Sequence, residues 1–494
     1  MDQLSKKADL KAPCVDVDED TGTGTTESVQ INTSRVLRKI DSRLLPLLGF
    51  CYFLQLLDKV SLGYTALLGI RTDVGLVGDE YSWITSIFYF GYFAWSFPTT
   101  WIIVRVPLGK YLSLVVQVIS LFAWGAVLAC HAACHNYAGF MVARFILGVM
   151  EASVAPGFSF LTGKFYKREE QPLRHGIWYL GNSFAGFLGG LIAYAIGHIE
   201  STLYTWQYLF IILGSLTSAS GIALFFLLPD GPETACFLSP KERVVAVERT
   251  MSAHQKKGSN KFQSYQVWEA FKDPQSWLLC LNMLGVMLVN SGLTAFTGII
   301  IAGFGYSGLQ ALLYQMPGSA VQIGLVTITS FCGSYVPNSR CYMLVILALL
   351  SIIGCVLVYT LDDNHRQTKL FGTSIMGSFA SGLPISMSMV SSNVCGSTKK
   401  TTVSAMLFIC YCVGNIISPQ VFLAREEPKY PTGIKVCLSG LSLGVASAMG
   451  LRFYMQYRNS RAVTSAGSYE SDGSNTDDDQ DKTDREIPGY IYLL

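Results

Sequence analysis

Charge is scarce in this chain. Only 14% of its 494 residues are Asp, Glu, Lys or Arg, where a soluble domain carries about 25%. The net charge of +2 leaves no basic footprint for a nucleic acid. Thirteen cysteines are present but without regular spacing, so free thiols are expected rather than a disulfide framework. No cleavable leader is expected from the sequence either. Residues 1–43 are polar, with Asp16, Asp18, Glu19 and Asp20 and no apolar core. The first apolar stretch is therefore expected to be its own insertion signal. No phosphate-cradling loop and no nucleophile–base pair is seen, so neither an enzyme nor a cofactor is expected.

What the chain has instead is apolar runs long enough to cross a bilayer, which takes about 20 residues as helix. Twelve are read, at 44–68, 81–104, 111–130, 137–162, 176–197, 206–228, 276–301, 311–335, 341–361, 370–394, 401–424 and 433–457. They are too long and too evenly apolar for the alternating ten-residue strands of a barrel. The fold class expected is an all-α membrane protein, with twelve transmembrane helices in two six-helix halves at 44–228 and 276–457. Residues 229–275 form a linker. Its Pro229-Asp230-Gly231-Pro232-Glu233 is a turn cluster. Ser239-Pro240-Lys241-Glu242 then predicts a helix start, with an N-cap, a first-turn proline and an acidic first turn. Residues 1–43 and the Ser-, Gly- and Asp-rich 458–494 are read as disordered tails.

Lys and Arg concentrate on alternate loops. One side takes Arg35, Arg38, Lys39, Arg43, Arg105, Lys110, Lys164, Lys167, Arg168, Arg174, the run from Lys241 to Lys272, Arg340, Lys399, Lys400, Arg452, Arg458 and Arg461. The other takes Arg71, Arg366, Lys369, Arg425, Lys429 and Lys435. Both termini are thus expected in the cytoplasm.

Four charges sit deep inside spans, all in the first third: Asp58, Lys59, Arg144 and Glu151. Each costs roughly 2.5–3.5 kcal/mol at bilayer depth on insertion scales. Arg144 and Glu151 are two helical turns apart and share a face. Asp58 and Lys59 diverge by about 100°, so at most one points straight into a lumen. Two acids and two bases in one half suit a site that handles a proton and an anion. Asp58 and Glu151 are the candidate proton carriers. Lys59 and Arg144 are the donors for a substrate carboxylate. The structural reading of the same residues is two ion pairs that hold helices together. Ion pairs inside spans are poor stabilisers and rare, which favours function. The second half offers only amides at depth: Asn282, Asn290, Gln315, Gln322, Asn393 and Asn415. These either complete a substrate site or bond between helices. Cys130-His131-Ala132-Ala133-Cys134-His135 has ligand-type residues, but a helix end with a short loop is favoured over a metal site.

Arg144-Phe-Ile-Leu-Gly148-Val-Met-Glu151-Ala152 resembles the fourth-span motif of the major facilitator superfamily. With Ala155-Pro156-Gly157 it looks like the anion:cation symporter branch, and within that the fungal allantoate permease family. Matching stretches include Leu45 to Lys59, Ile87 to Tyr92, Leu227 to Ala235, Ser392 to Lys400, Gly414 to Gln420 and Thr483 to Pro488. The resemblance implies proton-coupled uptake of a small carboxylate such as allantoate, ureidosuccinate, nicotinate, pantothenate or biotin. It supports proton roles for Asp58 and Glu151 and the anion role for Arg144; Lys59, Tyr92, Asn393 and Asn415 are the further candidates for substrate contacts. Two features depart from the family. The usual Asp-Arg of the first span is Asp58-Lys59, and the second-to-third loop motif has decayed to Arg105 through Lys110 without an Asp. The partners expected are a small anion, a proton and the lipid bilayer around a monomer. An exporter or intracellular carrier of an acidic metabolite, and a non-transporting nutrient receptor, are the competing readings.

Overall fold

The computed structural model describes residues 33–105, 109–167, 170–199, 201–229, 231–254, 262–362, 364–466, 481–487 and 489–494. They form helices and turns, with no strand among the described residues. Eight helices among them are long and apolar enough to cross a membrane. The fourth, eighth and tenth spans are broken. The fourth is Tyr137–Glu151 followed by Val154–Phe165, the eighth Gly308–Tyr314 followed by Met316–Tyr335. The tenth runs Arg366–Met376, a short 3-10 turn at Ser378–Gly382, then Leu383–Asn393. Pro317 and Pro384 each open the piece after a break. A proline has no N–H to give the carbonyl four residues back, so the ladder is interrupted there.

The unbroken spans are Thr33–Leu67, Glu80–Arg105, Gly109–Cys130, Gln171–Ile196, Thr205–Leu227, Pro274–Ala302, Arg340–Thr360, Ser397–Ile417 and Pro431–Ala466. In the first half, the first span packs on the fifth, the second on the fourth and the third on the sixth. The second half repeats this pairing as seventh on eleventh, eighth on tenth and ninth on twelfth. Between halves, the first span meets the seventh, the second the eleventh and the fifth the eighth.

The linker holds two helices. Pro240–His254 opens with reciprocal capping: Ser239 N donates to Glu242 Oε2 at 2.9 Å, and Glu242 N donates to Ser239 Oγ at 3.3 Å. Ser264–Lys272 was not expected from the sequence.

Both tails differ from expectation. The first helix begins at Thr33, so residues 33–43 are not disordered. Val36, Ile40 and Leu44, spaced by four, are buried along one stripe, and Lys39 Nζ lies 2.6 Å from Glu242 Oε1. Charges between the apolar positions hid that stripe from a hydropathy reading. At the other end the last helix continues to Ala466. Residues 481–487 and 489–494 pack against the second half, with Tyr492, Leu494, Thr483 and Asp484 buried. The remainder of each tail, 1–32 and 467–480, lies outside the described residues. The face carrying the linker and residues 481–494 is called the linker face below.

On the opposite face the halves are braced together. Arg71 donates to both carboxylate oxygens of Glu427 at 2.8 and 2.7 Å. Tyr81 OH donates to the carbonyl of Leu62 in its own half, at 3.2 Å, or of Ala295 in the other, at 3.1 Å. Ser86 Oγ donates to Ile416 O at 2.8 Å and accepts from Gln420 Nε2 at 2.9 Å.

Candidate functional site

The site begins with two glycines. A Cβ on Gly148 would stand 2.0 Å from Phe88 O, and one on Gly91 would stand 2.1 Å from Phe145 O. Only residues without a side chain let the second and fourth spans approach this closely. That contact brings Phe88 and Tyr92 of the second span beside the first-span Lys59. Asn136 starts the fourth span by accepting a hydrogen bond from Gly139 N at 2.7 Å. The helix ends at Glu151, just before the break.

Lys59 Nζ is 2.6 Å from Glu151 Oε1. The same oxygen accepts from Gln55 Nε2 at 2.8 Å. Gln55 is one turn before Lys59, so the first span presents both to the fourth. Glu151 Oε2 is buried and has no hydrogen-bond partner. The Lys59 ammonium also lies 5.6 Å from the centre of the Phe88 ring and 5.5 Å from that of Tyr92, within cation–π range. Lys59 keeps 18% of its side chain exposed, whereas Glu151 has none.

Asp58 turns the other way, as its 100° offset requires. It is fully buried, and its Oδ2 accepts from Thr217 Oγ1 of the sixth span at 3.1 Å. Asp58 Oδ1 has no partner. Arg144 is also buried, with Cζ 5.9 Å from the centre of the Phe210 ring. Its Nε and Nη2 are without hydrogen-bond partners. Of the two ion pairs in the structural reading, one forms: Lys59 with Glu151. Asp58 and Arg144 make no ion pair with each other.

Second-half aromatics close the other side. Tyr92 lies 5.7 Å from Phe408 and 6.4 Å from Tyr411 between ring centroids, and Tyr89 lies 6.3 Å from Tyr411. Gln55, Phe88, Thr217, Phe408 and Tyr411 were not singled out from sequence. Spacing could have found some of them: Gln55 is four before Lys59, and Phe408 is three before Tyr411 on one helical face.

Two expected contacts fall elsewhere. Asn415 is fully buried. Its Oδ1 accepts from Asn290 Nδ2 at 2.9 Å, and its Nδ2 donates to Tyr411 O at 2.9 Å. The amide joins the seventh and eleventh spans. Asn393 lies at the linker-face end of the tenth span, bonded to the backbone of Leu493. Asn282 donates to Gly444 O at 2.9 Å, between the seventh and twelfth spans. Sequence left open whether these amides bind solute or bond helices, and these three bond within the protein. Cys130 to His135 is a helix end with a short 3-10 turn. His131 is buried, its Nδ1 2.8 Å from Val127 O and its ring against Phe140 and Phe210.

The sequence profile of the Major Facilitator Superfamily matches residues 48–419. An uncharacterized transporter of Schizosaccharomyces pombe is 34% identical over 470 residues, covering 94% of this chain and 87% of that protein. The allantoate permease of Saccharomyces cerevisiae is 32% identical over 474 residues, covering 92% of this chain and 86% of that one. Among solved structures, a D-xylose-proton symporter superposes with a TM-score of 0.61 at 12% identity, covering 84% of this chain and 97% of that chain. At that identity the likeness speaks for the fold alone. The chain belongs to the Major Facilitator Superfamily. It is an all-α, multi-pass membrane protein with the twelve-helix, two-half fold of that superfamily.

Proposed function

We propose that the chain is a proton-coupled carrier of a small organic anion, working by alternating access, and that the Lys59–Glu151 pair is its coupling element. The observation that carries this reading is the 2.6 Å contact between a part-exposed cation and a fully buried carboxylate. A substrate carboxylate reaching Lys59 competes with Glu151 for the ammonium. Glu151, deprived of its counter-ion in a dry site, is costly as an anion. Taking up a proton removes that cost. Substrate and proton then enter together, and loss of the proton re-forms the pair and expels the anion. Arg144, with two unpartnered nitrogens, has N–H groups left to give a carboxylate. The aromatic wall from Phe88 to Tyr411 suits a planar or apolar substrate body.

The bracing on the face opposite the linker fits a carrier closed on that side. The similarity to an allantoate permease supports carboxylates as the first substrates to try. With both termini in the cytoplasm of a plasma-membrane protein, the coupled direction is uptake.

The test is purified protein in proteoliposomes enclosing a pH-sensitive dye. Allantoate, ureidosuccinate, nicotinate, pantothenate and biotin are added in turn. One of them is expected to drive proton entry, and a protonophore to abolish its accumulation. Uptake of any of them that ignores both the pH gradient and the protonophore would overturn the coupling.

A further inference from the structure

Residues 481–494, apart from Pro488, lie on the linker face of the second half, and they complete helix ends that the spans leave open. Gly396, which precedes the eleventh span, has no side chain to cap it. Both carboxylate oxygens of Asp481 accept from Ser397 N at 2.9 Å, and the Ser397 hydroxyl donates to the same carboxylate. Leu494 O accepts from Arg340 N, the first residue of the ninth span, at 3.2 Å. Asn393 of the tenth span brackets Leu493: its Nδ2 donates to Leu493 O and its Oδ1 accepts from Leu493 N, each at 2.8 Å. Asn459 of the twelfth span brackets Tyr492 in the same way, at 2.9 and 2.8 Å. Two amides reading backbone N–H and C=O pairs in series resemble the edge of a sheet receiving a strand.

Charge holds the other end. Lys399 Nζ, 1% exposed, meets Asp484 Oδ1 at 2.7 Å, Asp273 Oδ2 at 2.8 Å and Glu269 Oε1 at 2.9 Å. Arg485 Nη2 reaches Asp273 Oδ1 at 3.0 Å, and Tyr492 OH donates to Asp484 Oδ2 at 2.7 Å. Glu269 belongs to the linker helix Ser264–Lys272. Gln266 of that helix donates to Asp481 O at 2.7 Å, and Tyr265 OH donates to Glu486 Oε2 at 3.2 Å.

The linker is thereby divided. Its first helix sides with the first half, through Lys39 to Glu242 at 2.6 Å, Arg249 to Glu170 at 3.3 Å and Arg249 Nη2 to Phe165 O at 2.9 Å. Its second helix sides with the second half, held by the eleventh span through Lys399 N to Gln266 Oε1 at 3.0 Å and Lys399 Nζ to Glu269, and by Asp481 and Glu486.

We propose that residues 481–494 are a docked strap whose seat is the groove formed by the linker-face ends of the ninth, tenth, eleventh and twelfth spans together with Ser264–Lys272. The occupant is this chain's own segment from Asp481 onward, and seating it makes the second linker helix part of the second half. Release frees that helix and changes how the linker joins the two moving halves. The proposal stands on these contacts and does not depend on which solute is carried.

Hydrogen–deuterium exchange on the purified full-length protein tests it. The variant is Asp481→Ala with Asp484→Lys, which alters only the strap and leaves every span intact. Residues 489–494 are expected to exchange about tenfold faster in the variant. Ser264–Lys272 is expected to lose protection with them, while Pro240–His254 and the first-half spans keep theirs. Fast exchange of 489–494 in the unaltered protein shows that the strap is not seated. A loss confined to the strap, with Ser264–Lys272 unchanged, shows that it does not hold the linker helix. Either result overturns the proposal. Asn459→Ala, which removes one bracket and no charge, is expected to give the same pattern at smaller amplitude, and an unchanged pattern in both variants refutes it.

Discussion

Lys59 Nζ and Glu151 Oε1 stand 2.6 Å apart, and this contact joins the first span to the fourth at the point where the fourth breaks. The acid has no exposed surface and the base has some.

Glu151→Gln imitates a permanently protonated acid. Gln still accepts from Gln55, and it no longer demands a cation when the site is empty. The variant is expected to bind substrate and to support counterflow between equal pools. It is expected to lose accumulation driven by an acid exterior. Counterflow and pH-driven uptake measured side by side decide this. Retained accumulation against a gradient would move the proton to Asp58 and sink the assignment.

Lys59→Ala leaves Glu151 buried with a single amide donor. Removing one partner of a buried pair costs about 3–5 kcal/mol, so a lowered melting temperature and lost uptake are expected together. Lys59→Arg is expected to keep both, because a guanidinium also lies against Phe88 and Tyr92 and can take a carboxylate with two hydrogen bonds. Thermal melts and uptake of the two variants give the comparison. Full stability in the alanine variant would contradict the pairing.

Gly148→Ala tests the close approach that builds the site. Alanine improves intrinsic helix propensity by up to about 1 kcal/mol. A methyl group 2.0 Å from the Phe88 carbonyl must push the second and fourth spans apart, and overpacking costs about 1–3 kcal/mol. Sterics outweigh propensity, so net destabilisation is expected, with a disturbed contact between Lys59 and the Phe88 and Tyr92 rings. An unchanged melting temperature would show that the two spans can separate freely.

Asp273 makes the linker face sensitive to acid. Burial alone would push its carboxyl up, but Lys399 and then Arg485 beside it hold it below the usual carboxylate range. For a lowered carboxyl, the stabilisation is complete above its unfolded value, near 3.9, and is lost as pH falls through the folded value. The hydrogen bond from Lys39 holds the Glu242 carboxyl down in the same sense. Asp273→Asn is therefore expected to lower the melting temperature at neutral pH, with the gap to the unaltered protein closing below about pH 4. A gap that is constant across pH would mean that the charge of Asp273 contributes nothing.

Much of this protein follows from local properties of the chain. Twelve apolar runs, the split into six and six and the four charges at depth need only composition and spacing, because each span satisfies its own backbone as a helix. The capped helix at Ser239 to Glu242 is legible for the same reason. Direction around a helix is partly legible too: the one-residue step from Asp58 to Lys59 forces them apart. Which of the two meets Glu151 is settled only by how the first span sits against the fourth, fifth and sixth, and its backbone lies against the fifth where a Cβ on Gly181 would stand 2.2 Å from Gly49 O. The amides show the same limit. Asn393, Asn415 and Asn282 look alike in sequence, yet they bond to the strap, to the seventh span and to the twelfth. Residues 33–43 read as a tail because their apolar positions are few and separated by charge, and 481–494 because its apolar run is far too short to span and follows a Ser-, Gly- and Asp-rich stretch. Their order comes from partners 85 to 203 residues away, Glu242 for Lys39 and Lys399 and Asn393 for the strap. Composition cannot show pairings that exist only once the halves have folded.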